Sequence, residues 1–168
     1  GPSNVYEKNA PVFDHAILET NVPVLGICYG LQILTKLYGG EIISSGQGEY
    51  GSTEIEIKIN NGIFSEVQSS KVWMSHGDQV SKIPEGWKVS AYSSNGLVAA
   101  MINQEKKIVT TQFHPEVHHT QDGEQMIKNF LFKFAGCKAN WTPGNFIEEQ
   151  IIKIQNLVKK GKVLTGVS

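Results

Sequence analysis

The sequence contains no arginine. All fifteen basic residues are lysines, set against sixteen acidic residues for a formal net charge of −1 at pH 7. The planar, bidentate guanidinium clamp is therefore missing from the devices with which this chain can hold a carboxylate or a phosphate. The near-neutral balance argues against a general electrostatic grip on nucleic acid or on an anionic membrane. Cysteine is also scarce, with only Cys28 and Cys137. One disulfide could join them, but a reduced, cytoplasmic chain with one reactive thiol fits the count better. Cys137, in Phe134-Ala135-Gly136-Cys137, reads as a small buried hydrophobe. No apolar run approaches the roughly 18 residues of a membrane span, no secretory signal is visible, and there is no internal repeat or low-complexity segment. What is present suits one globular domain with a sizeable core: 168 residues, 40% hydrophobic and 9% aromatic.

The hydrophobic pattern predicts an α/β order at the start and a β-rich middle. Asp14 to Thr20 reads as a short helix and Pro23 to Ile27 as a buried strand. Leu31 to Tyr38 reads as a helix with Leu31, Leu34 and Leu37 on one face, stopped by Gly39-Gly40. Thr53 to Ile59 alternates with period 2, as a strand with one wet face does. Asn60-Asn61-Gly62 is a turn. Lys71 to Met74, Trp87 to Tyr92, Val98 to Ile102 and Ile108 to Phe113 are further strands. Glu124 to Phe134 is a helix with Met126, Ile127, Phe130, Leu131 and Phe134 inward. Asn145 to Lys159 is another, with Phe146, Ile147, Ile151, Ile154 and Val158 on its apolar side. Lys138 to Gly144, with its Pro and Gly, is the best linker candidate.

Chemistry concentrates in two places. Gly26-Ile27-Cys28-Tyr29-Gly30 follows the apolar run Pro23-Val24-Leu25, so a strand runs into a Gly-x-Cys-x-Gly turn and then a helix, the cysteine version of a nucleophile elbow. The turn would push the Cys28 sulfur out over the sheet end, and the helix would aim its N-terminal amides and dipole at a thiolate. The glycines would give the sharp turn room and allow positive φ. The competing reading is a buried cysteine beside two glycines that merely end a strand. Far downstream, the strand ending at Phe113 leads into His114-Pro115-Glu116. A cysteine nucleophile needs a base, and the base needs an orienter. His114 can take the thiol proton, and Glu116 can hold the far ring nitrogen if the chain turns at Pro115. A lone histidine is more often structural, but an elbow together with this tripeptide is much rarer by chance. His114, Glu116, His118 and His119 are crowded, yet Pro115 is incompatible with the helical spacing of His-Glu-x-x-His zinc sites, so no metal is expected. His118 and His119 read as a polar loop, and His15 as surface.

Cys28-Tyr29-Gly30-Leu31-Gln32 together with Phe113-His114-Pro115-Glu116 resembles the class I (triad-type) glutamine amidotransferases. Gly1-Pro2-Ser3-Asn4-Val5-Tyr6 resembles the end of that family's Ser-Gly-Gly-Pro loop. Trp73-Met74-Ser75-His76-Gly77-Asp78 is similar to the glutamine-pocket segment of the family's GMP-synthetase branch. Lys128-Asn129-Phe130-Leu131-Phe132 and Asn140-Trp141-Thr142 resemble the end of the amidotransferase domain there. The resemblance covers nearly the whole chain. It implies a flavodoxin-like, three-layer domain with a central, mostly parallel sheet. It also implies that the first strands, about 50 residues or two βα units, are missing from the N-terminal side. Residues 1–138 would be the glutaminase domain. Residues 139–168 would be a linker with the first helix and strand of an ATP pyrophosphatase domain, in which Ser168 begins an ATP-binding phosphate loop.

The same resemblance assigns roles. Cys28, His114 and Glu116 would be the catalytic triad. The backbone amides of Tyr29 and Gly1 would form the oxyanion hole, and Gln32, Ser75, His76 and Asp78 would bind L-glutamine. Residues alone read Ser75 to Asp78 equally well as an ordinary polar turn. Glu49-Tyr50-Gly51 resembles a loop that the family usually precedes with arginine; Gly48 stands there, and the loop is given no role. No cofactor is implied for these residues. The complete enzyme would use ATP and Mg²⁺ to aminate XMP to GMP, and a homodimer would form, if at all, through regions outside this chain. Three alternatives stay open: the glutaminase of another class I synthase, a non-catalytic docking or regulatory domain, and a cysteine hydrolase acting on γ-glutamyl or peptide bonds.

Overall fold

The computed structural model describes residues 5–60, 62–68, 71–140, 142–164 and 166. It falls into two compact units, Gly1–Gly136 and Cys137–Ser168. The order of elements in the first is α1 (Ala16–Glu19), β1 (Val24–Ile27), α2 (Tyr29–Leu37), β2 (Glu41–Ile57), a 3₁₀ turn (Gly62–Phe64), β3 (Lys71–Lys82), β4 (Lys88–Ser93), β5 (Val98–Asn103), β6 (Ile108–Thr111), α3 (Gly123–Lys128) and a π-helical turn (Asn129–Phe134).

The six strands lie in the order β1-β6-β5-β4-β2-β3. β1 and β6 are parallel, with Val24 opposite Ile108 and Ile27 opposite Thr111. The remaining pairings are antiparallel. The α/β class stands, but the expectation of a mostly parallel sheet is corrected for the described strands. A parallel pair needs a crossover of a dozen or more residues. Residues 94–97 and 104–107, which join β4 to β5 and β5 to β6, leave room only for hairpins.

Alternation along the central strands feeds two cores, one on each face, which gives the three layers. Ile108 and Met101 pack with Leu31 and Leu34 of α2 and with Trp87. Val109, Ala100 and Ile102 pack on the other face with Phe64, Phe113, Met126 and Phe130. Leu31, Met101, Phe64 and Phe113 lose all their exposed surface there. At ~25 cal/mol per Å², such side chains each contribute about 2 kcal/mol. Leu37, expected on the buried face of α2, is left partly exposed.

Several expectations change. β2 begins at Glu41 and β3 runs on to Lys82, so the Ser75 to Asp78 segment is mid-strand and not a turn. The glycine-rich stretch before Thr53 has little β propensity of its own; its pairing with β3 supplies the order. Gly48 is required by that pairing, because a Cβ would lie 2.5 Å from the His76 carbonyl oxygen. A register shift between Ser44 and Glu49 absorbs the irregularity. The helix through Phe134 widens into its π turn at Asn129, which changes the phase of the inward face. Asn129 is consequently buried, donating to the Ile63 and Ser65 carbonyls at 2.9 and 2.6 Å, while Leu131 is turned outward.

In the second unit, α4 (Pro143–Val158) starts at Thr142, whose hydroxyl accepts from the Asn145 amide at 3.1 Å, with Pro143 in the first turn. Phe146, Ile147, Ile151 and Ile154 are each about half exposed. Cys137 is exposed, not buried as its small size suggested, because the chain has already left the π turn through Gly136 (φ 69°). The strand that the resemblance places at the end of residues 139–168 does not form among the described residues, where Lys162 to Leu164 have no ladder partner. Among the described residues no helix is long and apolar enough to cross a membrane.

Candidate active site

The parallel pairing of β1 with β6 sets the two chemical segments side by side. Cys28 follows β1, and its N–H donates to the Thr111 carbonyl at 2.7 Å, extending the ladder by one bond. His114 lies just past the end of β6. Its N–H donates to Trp73 O at 3.0 Å, and its carbonyl accepts from the Thr120 hydroxyl at 2.5 Å.

Cys28 caps α2 with φ 51° and ψ −101°, a region that non-glycine residues seldom enter. The reading that the neighbouring glycines carry the unusual backbone is corrected: neither Gly26 nor Gly30 has positive φ, and the cysteine itself does. Gly26 is needed for a different reason. A Cβ there would meet Leu34 Cδ1 at 2.7 Å and the Gly30 carbonyl carbon at 3.0 Å, so β1 could not lie this close to α2. Gly30 has open space around its would-be Cβ.

Cys28 is 6% exposed. The thiol donates to the Ser75 carbonyl at 3.7 Å, and the Gln112 side-chain amide donates to the sulfur at 3.8 Å. Burial pushes the thiol up from its ordinary range, and the Glu116 carboxylate pushes the same way. The Tyr29 backbone amide and the Gln112 amide oppose them. His114 Nδ1 lies 2.7 Å from Glu116 Oε1. An ionised carboxylate only accepts, so Nδ1 carries the proton of that bond, and in the neutral ring Nε2 is then the nitrogen with the free lone pair. The hydrogen bonds of the sulfur among the described residues go to Ser75 and Gln112, with His114 outside that set.

The family description "Glutamine amidotransferase class-I" matches residues 1–134. The chain belongs to the class-I glutamine amidotransferases. It is 46% identical to the GMP synthase [glutamine-hydrolyzing] of Caldicellulosiruptor saccharolyticus and 46% identical to that of Brachyspira hyodysenteriae, in each case over 100% of this chain and 33% of the relative. It thus spans about a third of the length of these curated relatives. A solved structure of a putative GMP synthase subunit from Thermoplasma acidophilum superposes with a TM-score of 0.67 at 29% identity, over 80% of this chain and 64% of that one. A glutamine amidotransferase from Thermotoga maritima, 24% identical, shares the fold at a TM-score of 0.56 over 87% of this chain and 57% of that one.

In this amidotransferase, Gln32 is buried one helical turn after Cys28. Strand alternation splits the suggested glutamine-binding set. His76 and Asp78 are buried on one face of β3, and the Ser75 side chain is exposed on the other. Ser75 meets Cys28 through its backbone carbonyl, not its hydroxyl. His76 is fully committed: Nε2 lies 3.1 Å from Glu49 Oε2 and Nδ1 2.8 Å from the Asp78 carbonyl. Exposed Asn95 donates from Nδ2 to Glu49 Oε1 at 2.8 Å and closes the outer end of the network around buried Glu49 and His76. Tyr29 opens α2, its hydroxyl donating to Pro11 O at 2.8 Å. Gly1 and Ser168 lie outside the described residues. Trp73 stacks on His119 with centroids 4.4 Å apart, so the His118-His119 loop leans on β3. Among the described residues no cluster of three or more His, Cys, Asp or Glu side chains is arranged to hold a metal. A depression of about 660 Å³ opens beside Glu116, but neither Cys28 nor His114 lines it.

Two participants were invisible in the sequence. Gln112 sits in an unbroken strand-like run, and only the β1–β6 register turns it toward Cys28. Glu49 lies in a glycine-rich stretch without alternation, and only its pairing with His76 across β2–β3 reveals its place.

Proposed function

We propose that this chain is the glutaminase part of a GMP synthase, with Cys28 as nucleophile, His114 as base and Glu116 as orienter. The observation that carries the reading is the positive-φ Cys28 at the start of α2, tied to Thr111 at the end of the strand that leads into the His114–Glu116 pair. The Cys28 thiolate attacks the side-chain carbonyl of L-glutamine. His114 Nε2 takes the thiol proton and returns it to the departing ammonia, and Glu116 holds the tautomer and steadies the imidazolium. The Tyr29 amide, and the Gly1 amide if its segment folds over the site, receive the oxyanion. Hydrogen bonds in unliganded sites are commonly loose and tighten around substrate, so the sulfur closes on His114 when glutamine displaces its contact with Ser75. Gln32 and Asp78 face that ligand, Asp78 pairing with its ammonium group. His76 acts through Asp78, not on glutamine.

The relatives' names extend the reading. Ammonia would pass to a synthetase portion lying beyond the stretch described, where ATP and Mg²⁺ activate XMP for amination to GMP in the cytoplasm. The test is intact-mass detection of diazo-oxo-norleucine labelling, with Cys28→Ala as control, followed by XMP-dependent GMP formation in the full-length protein. Labelling abolished by Cys28→Ala supports the glutaminase. Absence of labelling in the full-length protein refutes it and leaves a docking domain as the account.

A further inference from the structure

Gln112 is 1% exposed and takes no part in the triad, yet one end of its amide faces the nucleophile. Its position is fixed from both sides. Its own N–H donates to Ala99 O at 2.8 Å, and the adjacent Thr111 carbonyl holds the Cys28 amide at 2.7 Å. Its side-chain carbonyl oxygen is buried with no hydrogen-bond partner among the described residues. Leaving such an oxygen dry destabilises a fold, commonly by an amount that an apolar residue of the same shape would avoid. An amide kept in an apolar strand end under that penalty, with its donor on a sulfur, points to a role in the chemistry of the sulfur.

We propose that the Gln112 amide is a catalytic hydrogen-bond donor to the Cys28 thiolate. The two contacts of the sulfur work in opposite directions. The Ser75 carbonyl can only accept, so it favours the thiol. The Gln112 N–H can only donate, so it favours the thiolate. When His114 takes the proton, the Ser75 contact turns repulsive and the Gln112 contact strengthens as its acceptor becomes charged. The Gln112 donor thereby adds to the imidazolium in holding the buried anion at the sheet end. The direction of the Gln112 influence on the thiol agrees with this. Among the described residues the Glu116 carboxylate bears on the sulfur, His114 is paired with it past β6, and His76 and Asp78 follow Ser75 on β3. None of them changes when Gln112 is replaced.

The inference rests on the proposed role of Cys28 as nucleophile, and the experiment separates the two. Iodoacetamide alkylation of Cys28 in the intact protein is followed by peptide mass spectrometry across pH, with exposed Cys137 as the internal reference, for wild type, Gln112→Met and Gln112→Leu. Glutaminase turnover and thermal midpoint are measured alongside. The expected result is an alkylation midpoint moved to higher pH, an about tenfold slower reaction at neutral pH, the low end for a hydrogen bond to a charged group, and an unchanged Cys137 rate. The thermal midpoint should stay or rise, because the orphaned oxygen has gone. Identical Cys28 profiles in the variants overturn the inference, as does a fall in thermal midpoint with an unshifted profile, which would make Gln112 purely structural. If either variant fails to fold, the other carries the comparison. A shifted profile in a protein whose wild type hydrolyses no glutamine refutes the glutaminase reading and leaves the hydrogen bond standing.

Discussion

Replacing Cys28 by glycine and by alanine tests whether the elbow stores strain. At φ 51° and ψ −101° a side-chain-bearing residue costs about 1–3 kcal/mol, which glycine avoids. Against this, glycine loses more backbone freedom on folding than alanine, about 0.5–1 kcal/mol. Both variants forfeit the same buried sulfur, so that contribution cancels in the comparison. Glycine should therefore be the more stable of the two by about 1 kcal/mol, the reverse of the usual order. Gly30 is the internal control. It lies in α2 with negative φ and nothing near its would-be Cβ, so Gly30→Ala should stabilise by about 0.5–1 kcal/mol. Urea unfolding, read as the midpoint at constant slope, measures each difference. An alanine at position 28 as stable as glycine, or more so, would refute the strain argument and reduce the elbow to an ordinary helix start.

Gly26→Ala should cost about 3 kcal/mol, because the new methyl meets Leu34 and the backbone of Gly30 at once; Leu34→Ala in the same chain should recover only part of it, again by urea midpoint. Glu49→Ala and His76→Ala should each cost about 3 kcal/mol and the double variant clearly less than their sum, since each single change strands a buried polar partner; additive losses in the double-mutant cycle would refute the network. Glu116→Gln should lower glutamine turnover by about 10²–10⁴ with little change in KM, and equal loss in both would argue for a binding role. The raised Cys28 thiol gives stability a pH dependence. The folded state keeps its proton where the unfolded thiol has lost it, so the contribution is fully present below the unfolded thiol's range and declines as pH rises through it. Wild type should lose stability relative to Cys28→Ser over that window, and parallel curves would contradict the cause assigned.

The legible parts of the sequence were those in which local pattern and tertiary role agree. Leu31 and Leu34 are spaced for one helical face and are buried on it, and the β1 run and its elbow emerge where the apolar residues stop. His114 and Glu116 were readable because Pro115 forces a turn between them. The hidden parts depend on partners distant in the chain. Residues 41–52 have no alternation of their own and become a strand only against β3. Leu131 and Asn129 exchange faces because a π turn adds a residue to the period, and nothing in the hydrophobic spacing announces that. The mostly parallel sheet was expected from the family resemblance, whereas antiparallel pairings dominate among the described strands.

The parallel β1–β6 pairing also gives the site a history within each folding event. Cys28 and Gln112 are 84 residues apart, and the sheet order places β6 between β1 and β5. The antiparallel ladders β4–β5 and β5–β6 close short loops, whereas β1 must close a long one, with an entropy cost that grows with loop length. On a ribosome Cys28 emerges well before His114, Glu116 and Gln112 exist. The unfolded thiol is open to alkylation and oxidation, but under the proposed mechanism it cannot turn over glutamine, so the topology withholds catalysis until β6 is in place.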